Sequence, residues 1–325
     1  MEHVQWGVLS TADIAQTQLI PAVNRASNAK MTAIASASGK AEEAAKRLGI
    51  PKFYNSYEEL LRDPDIDAVY IPLPNHLHME WAIKAMEHGK HVLCEKPMTL
   101  NAEEAKAIEA AVKKNGVKFM EAFMYQFHPQ HQRVRDIIAS GEIGEVKMMK
   151  ASFSFFLEQR ETNIRMNKDM GGGSIYDVGC YCLHAIRNVL STEPLHIEAK
   201  KQLDPVSGVD LSAEGFVTLE NGVQAVFDCS MDMFSRQEYE IIGTKGRILV
   251  PRPFRPDLFG GEGLVIVQKD KQERVERIHG DIYLLEVEHF SQAVLDDTEP
   301  AYALESSINN MRAIDMCYES NFQNV

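Results

Sequence analysis

No stretch of the 325-residue sequence approaches the roughly 20 consecutive apolar residues that a membrane span needs. No charged, apolar and small-residue leader precedes the first apolar run, so a soluble, cytoplasmic protein is expected. Positive charge is in deficit: 34 Lys and Arg stand against 47 Asp and Glu, for a net charge of -13. Such a surface repels a nucleic-acid backbone, which leaves a small molecule as the expected partner. Cysteines are few and odd in number (Cys94, Cys180, Cys182, Cys229, Cys317), which argues against a disulfide framework and for reduced thiols. Only Cys180 and Cys182 are close, and two positions apart on a helix they point to different faces, so no metal site is expected there. Internal repeats, low-complexity tracts and long linkers are also missing.

The most telling absence is local. In "HVQWGVLSTADIAQTQLIPAV" (3–23) an apolar strand pattern runs through a turn into a helix, where a dinucleotide-binding fold places its glycine-rich phosphate loop. The three glycine positions of G-x-G-x-x-G are occupied by Ser10, Ala12 and Ala15, and only the preceding Gly7 is a glycine. All three replacements are small. They are expected to let the backbone approach a pyrophosphate at the helix N-terminus while φ stays negative, with the Ser10 and Thr11 hydroxyls as added donors.

Over the first 120 or so residues, apolar strand runs ("MTAIASAS", "DAVYIPLP", "HVLCEKP", "VKFMEAF") alternate with helical segments closed by Gly49, Gly89 and Gly116 or stopped at Pro64. That alternation predicts an α/β fold with an N-terminal Rossmann doubly wound parallel sheet. Ligands of such sheets bind beyond the carboxyl ends of the strands, where "STADIA", "PLPNHLH" and "EKP" fall. After a helix in "HPQHQRVRDIIASG", long β-prone runs joined by turn signals such as "ENGV" and "GTKG" predict a C-terminal α/β domain with a large, mostly antiparallel open sheet. One helix, roughly 174–190, interrupts these runs, and amphipathic helices follow from about Tyr283. The expected domains are residues 1–123 and 124–325.

"WGVLSTADIA", "YEELLRDPDIDAVYIPLPNHLHMEWAIKAMEHGKHVLCEKPMTLNAEEA", "GGGSIYDVGCYCLHAI" and "IIGTKGRI" occur in an order that resembles the Gfo/Idh/MocA oxidoreductases, which include glucose-fructose oxidoreductase and inositol dehydrogenase. "WGVLSTA" is similar to the dimeric dihydrodiol dehydrogenase and xylose dehydrogenase branch, in which the second loop glycine is lost. The resemblance implies a cofactor site of Gly7, Ser10, Thr11, Ala12 and Ile14 in the loop, Ser36, Ser38 and Lys40 after the second strand, and Pro72, Asn75, His78, Glu95 and Lys96 at the next strand ends. His76 and His78 have metal-like spacing, but without a carboxylate cluster they are expected to line the nicotinamide side of the cleft. The open C-terminal sheet is expected to form a homodimer or higher homo-oligomer.

NAD-specific sites carry an acid at the end of the second strand for the ribose hydroxyls. Here Ser36-Ala37-Ser38-Gly39-Lys40 has none before Glu42, so two hydroxyls and an ammonium favour NADP over NAD. The resemblance qualifies this, because NADP users of the family commonly have Arg at the position of Ala37. On the 174–190 helix, Asp177, Tyr181 and His184 are spaced i, i+4, i+7 and share a face. By themselves they describe a partly buried helix with satisfied polar groups. With Lys96 and the family motif they become catalytic candidates: Tyr181 as general acid/base, Lys96 favouring its ionised form, and Asp177 holding substrate or the lysine. Proton transfer by Lys96, with Tyr181 as orienter, is the alternative. Asn163, Arg165 and His184 are candidates for substrate contact. Gln126 stands where the family often has Arg, removing a positive charge. The expected activity is hydride exchange between a nicotinamide and a sugar, sugar derivative or cyclic polyol. A cofactor-binding regulator without turnover and a dihydrodiol or carbonyl oxidoreductase are the other readings.

Overall fold

A computed structural model describes residues 2–320. It divides into two compact units, 1–124 with 283–308 and 125–282 with 309–325. The expected domains, 1–123 and 124–325, differ from this division chiefly because residues 283–308 return to the first unit.

In the first unit, six strands form one parallel sheet: β1 (Val4–Leu9), β2 (Ala29–Ala35), β3 (Lys52–Tyr54), β4 (Ala68–Ile71), β5 (His91–Glu95) and β6 (Phe119–Ala122), in the order β3-β2-β1-β4-β5-β6. This is the doubly wound order in which the chain reverses direction beside β1. The near-continuous burial of β1 and β4 follows from helices covering both faces. The connecting helices are α1 (Ile20–Arg25), α2 (Ala41–Leu48), α3 (Tyr57–Leu61), α4 (His78–Glu87) and α5 (Ala102–Asn115). Their ends obey local rules. Ser56 Oγ accepts from Glu59 N at 3.2 Å, and Asn101 Oδ1 accepts from Glu104 N at 2.9 Å. Glu104 reaches back to Leu100 N at 2.9 Å, closing a capping-box-like exchange one residue earlier than the standard pattern.

The second unit opens with α6 (Pro129–Ala139), whose proline occupies the first helical position. Eight strands follow: β7 (Val146–Phe156), β8 (Pro194–Leu203), β9 (Asp210–Leu219), β10 (Gln224–Ser230), β11 (Asp232–Gly243), β12 (Arg247–Val250), β13 (Glu262–Lys269) and β14 (Gln272–His279). They form one sheet in the order β14-β13-β12-β11-β7-β10-β9-β8, antiparallel throughout except for the parallel pair β7/β10. Both turn signals made hairpins, β9/β10 at "ENGV" and β11/β12 at "GTKG". Val217, Leu219, Ala225 and Phe227 are buried on one face, whereas Phe216 is 60% and Phe234 90% exposed. The interrupting helix is a π-helical segment, Ile175–Gly179, continuing into α7 (Cys180–Leu190).

The chain closes with α8 (Ile282–Leu295) and α9 (Leu304–Glu319). From Tyr283 onward α8 belongs to the first unit. Trp6 in the middle of β1 is fully buried, packs on Phe290 with ring centroids 5.6 Å apart, and donates its indole N–H to Ser291 Oγ at 3.1 Å. A buried indole needs such an acceptor, and here it comes from 285 residues further along the chain. No described helix is long and apolar enough to cross a membrane, and the five cysteines are buried free thiols.

Candidate active site

The first group of candidates surrounds the carboxyl ends of β1, β2, β4 and β5. Directly after β1, Ser10 has φ +145°, a region that glycine occupies freely and that strains other residues. This corrects the expectation of negative φ: the loop keeps the backbone shape of the glycine fingerprint although the glycine is gone. The shape is held by local bonds. Ser10 Oγ accepts from Ala12 N at 3.0 Å, and Gln16 Nε2 donates to the Thr11 carbonyl at 2.6 Å. The serine oxygen is thus turned into its own loop. Thr11, Ala12 and Ile14 are partly exposed, and the Ala12 carbonyl starts the helix by accepting from Ala15 N at 3.1 Å and Gln16 N at 3.2 Å. The helix continues as a π-helical turn, Ala15–Leu19, into α1. Gly7 has a different duty from the one expected. It is buried, and a Cβ there would lie 2.8 Å from Leu60 Cδ2, so it lets α3 pack against β1.

Beyond β2, Ala37, Ser38, Gly39 and Lys40 are exposed and bear no acid, while Ser36 is buried with its Oγ 2.9 Å from Ser38 Oγ. Ser36 braces Ser38, whose amide also donates to Ser36 Oγ at 3.3 Å. Beyond β4, Pro72 is buried and Asn75 partly exposed. His78 is fully buried, with Nδ1 2.9 Å from the Pro97 carbonyl and Nε2 2.7 Å from the Leu73 carbonyl. Burial outweighs these two carbonyls and brings its pKa down to about 4, so the ring is neutral at pH 7 and donates to one of them. The expectation that His78 lines a nicotinamide cleft is therefore corrected: it staples the loop after β4 to the loop after β5. No described group of three His, Cys, Asp or Glu side chains is placed to hold a metal ion. At the end of β5, Glu95 Oε1 accepts from Tyr70 Oη at 2.5 Å, and the partly exposed Lys96 follows.

The second group lies on and around the Ile175–Leu190 helix of the second unit. Of the three glycines before it, Gly172 and Gly173 are held tightly. A Cβ on Gly172 would strike the Arg165 carbonyl, and one on Gly173, whose φ is +125°, would strike Asp210 Oδ1. Asp210 is the anchor of this helix start: Oδ2 accepts from Ser174 Oγ at 2.7 Å and from Ile175 N at 2.8 Å, and Oδ1 accepts from Tyr318 Oη at 2.8 Å. Burial raises its pKa, and these donors oppose the rise.

On the helix, Asp177 Oδ2 accepts from Arg165 Nε at 2.6 Å, which brings two sequence candidates together. The same carboxylate raises the pKa of Arg165, burial opposes that, and Tyr181 adds a smaller upward influence. Asn163 is used locally, its Oδ1 capping Arg165 N at 3.0 Å, so it orders the arginine's loop. Tyr181 is 5% exposed, its ring 5.4 to 5.6 Å from those of Phe153, Tyr125 and Phe254. His184 is fully buried, with Nδ1 2.5 Å from Tyr125 Oη, and burial holds its pKa well below the usual histidine value. The expectation that His184 contacts substrate is corrected: it is an internal support. Gln126 is partly exposed, while its Nε2 is buried without a partner. Sequence reasoning missed Tyr125 and Asp210. Tyr125 meets His184 59 residues away and Asp210 meets Ser174, Ile175 and Tyr318 36, 35 and 108 residues away, and nothing local marks them.

Residues 4–123 match the model of an oxidoreductase family with an NAD-binding Rossmann fold, and residues 131–249 match the GFO/IDH/MocA C-terminal domain. This chain belongs to the Gfo/Idh/MocA oxidoreductases. It is 39% identical over 318 residues to a D-xylose 1-dehydrogenase (NADP(+)) of Haloferax volcanii, covering 98% of this chain and 97% of that one. A trans-1,2-dihydrobenzene-1,2-diol dehydrogenase of Xenopus tropicalis is 31% identical over 275 residues, covering 82% of this chain and 80% of the relative. Among solved structures, a 3-ketoreductase of Actinomadura kijaniata in complex with NADP and TDP-benzene superposes with a TM-score of 0.91 at 30% identity, covering 98% of each chain.

Proposed function

We propose that this chain is an NADP-preferring dehydrogenase or reductase that exchanges hydride between a carbinol carbon of a sugar, sugar derivative or cyclic polyol and a nicotinamide. The observation that carries the reading is the loop after β1. Ser10 holds a glycine-like φ of +145° in front of a helix N-terminus, a strained arrangement suited to a pyrophosphate and of no evident use to packing. Thr11, Ala12 and Ile14 would hold the pyrophosphate, and Ser38 and Lys40 the 2′-phosphate, with Ser36 behind them. When bound, the nicotinamide supplies the hydride acceptor or donor. The remaining work is protonic and belongs to this chain: Tyr181 exchanges the carbinol proton, Lys96 contributes positive charge, and the Asp177 carboxylate, fixed by Arg165, accepts from a substrate hydroxyl. Oxidation of a carbocyclic dihydrodiol is a second reading, supported by the likeness to the amphibian enzyme. Five buried free thiols suit a cytoplasmic setting.

Equilibrium binding tests the cofactor assignment. NADP+ is expected to bind more tightly than NAD+, and Lys40→Ala to weaken NADP+ by about tenfold, one charge-assisted phosphate contact, while NAD+ is unaffected. Equal or tighter binding of NAD+ by the unaltered protein would reverse the assignment.

The exposed apolar residues of the second unit, including Phe156, Leu203, Phe216 and Phe234, support a homo-oligomer through its open sheet, most simply a dimer. Light scattering at micromolar protein should give at least the dimer mass. A concentration-independent monomer mass would reject the assembly.

A further inference from the structure

The turn that follows β5 carries Lys96, and residues 96–101 form neither helix nor strand. A turn without ladder partners keeps one shape only if other groups satisfy its backbone. Here side chains supply the hold. Lys96 N donates to Glu95 Oε2 at 3.3 Å, His78 Nδ1 lies 2.9 Å from the Pro97 carbonyl, and Met98 N donates to Glu121 Oε1 at 2.9 Å. Glu95 is partly exposed, whereas His78 and Glu121 are fully buried.

Glu121 stands on β6 in register with Cys94 on β5, two residues before Lys96. Its other oxygen, Oε2, accepts from Tyr302 Oη at 3.3 Å, and the Tyr302 ring meets that of Phe123 edge-on with centroids 6.0 Å apart. Tyr302 belongs to the 283–308 segment that returns to the first unit, so the return brings a donor to the carboxylate that holds the lysine turn. Packing alone would be served at least as well by an apolar side chain, because a buried carboxylate costs stability unless donors meet it. Charge at this turn comes from Lys96, Glu95 and Glu121. Burial and then both carboxylates push the Cys94 thiol up, and Lys96 assists burial in keeping His78 neutral. Reach and charge of Glu121 therefore have to be tested separately.

We infer, on the role proposed above for Lys96, that Glu121 is a positioning residue: its carboxylate, steered by Tyr302, holds the Met98 amide and thereby fixes where the lysine leaves the sheet. Displacing a reacting group by about 1 Å can cost as much as a hundredfold in rate, so a small retreat of this acceptor is expected to show in kcat.

Glu121→Asp keeps the charge and draws the acceptor back by one methylene. Its kcat should fall by about tenfold or more, with dinucleotide affinity within about threefold of that of the unaltered protein. Glu121→Gln drops the charge but keeps an acceptor oxygen at full reach, and should lose clearly less. In a Lys96→Met background, Glu121→Asp should lower kcat by less than about twofold more, because the group it positions is gone. An unchanged kcat in Glu121→Asp, an equal or greater loss in Glu121→Gln, or a loss that multiplies in the double variant overturns the inference and leaves the oxidoreductase reading intact. Should Glu121→Asp not fold, Tyr302→Phe, which removes only the Oε2 donor, takes its place: a fall in kcat that vanishes in the Lys96→Met background supports the inference, and an unchanged kcat or a multiplied loss overturns it. No turnover by the unaltered protein, or full turnover in Lys96→Met, overturns the inference together with the reading on which it rests.

Discussion

Replacing Tyr181 with phenylalanine is expected to lower kcat by at least about a hundredfold at neutral pH, the ordinary scale for losing a general acid/base, with dinucleotide affinity retained. A carbinol gives up hydride only as its hydroxyl loses a proton, so the group that takes the proton is indispensable. The phenol is the candidate because its helix start is anchored by Asp210, its neighbour Asp177 is fixed by Arg165, and its ring is boxed by Phe153, Tyr125 and Phe254. Phenylalanine keeps the ring contacts, so a loss of turnover in that variant reports the hydroxyl rather than the fold. Lys96→Met should lose turnover on the same scale. Near wild-type kcat in Tyr181→Phe together with a large loss in Lys96→Met would transfer the proton to the lysine. Near wild-type kcat in both would remove these residues from the chemistry.

The largest effect on stability is expected at a residue far from any motif. Asp210→Ala removes the acceptor of three donors, the buried Ser174 Oγ and Ile175 N and the part-buried Tyr318 Oη, and should cost about 3–5 kcal/mol. Roughly 10 °C of Tm corresponds to that loss. The start of the helix carrying Asp177 and Tyr181 then loses its anchor, so kcat falls along with Tm. Asp210→Asn keeps one acceptor oxygen and should lose less on both measures. Differential scanning calorimetry checks the series; a Tm for Asp210→Ala within about 2 °C of the unaltered protein would show that the three bonds contribute little.

What could be read in the sequence, and what could not, divides by the range of the interaction. Strand and helix alternation, the Asn101 cap and the two hairpin turns are local, and the structure has them where the residues suggest. Two edge strands went unread. β3 is three residues of "KFY", too short to alternate, and β14, "QERVERIH", is mostly exposed and polar, so neither presents a buried face. The return of α8 to β1 depends on Trp6 meeting Phe290 and Ser291, a contact without a sequence signature.

At the candidate site, residue types were legible and conformations were not. Small residues in the loop after β1 suggested close backbone approach, but the positive φ of Ser10 is imposed by the surrounding loop rather than by serine's own preference. His78 was expected at the cleft from its place after a strand end, and His184 because it shares a helix face with Asp177 and Tyr181. Burial and internal partners make both structural. At Gly172 and Gly173 the Arg165 carbonyl and Asp210 fill the space where side chains would go, contacts that no local pattern announces.

Steady-state turnover over a panel of aldoses, inositols, nucleotide-linked keto sugars and a dihydrodiol, with NADP(H) and NAD(H) compared for each, bears most directly on the assignment. The expected result is saturable turnover with at least one sugar or polyol, a higher kcat/KM with the phosphorylated dinucleotide, and its loss in Tyr181→Phe. Tight dinucleotide binding with no turnover on any member of the panel would contradict it and leave a cofactor-binding protein without catalysis.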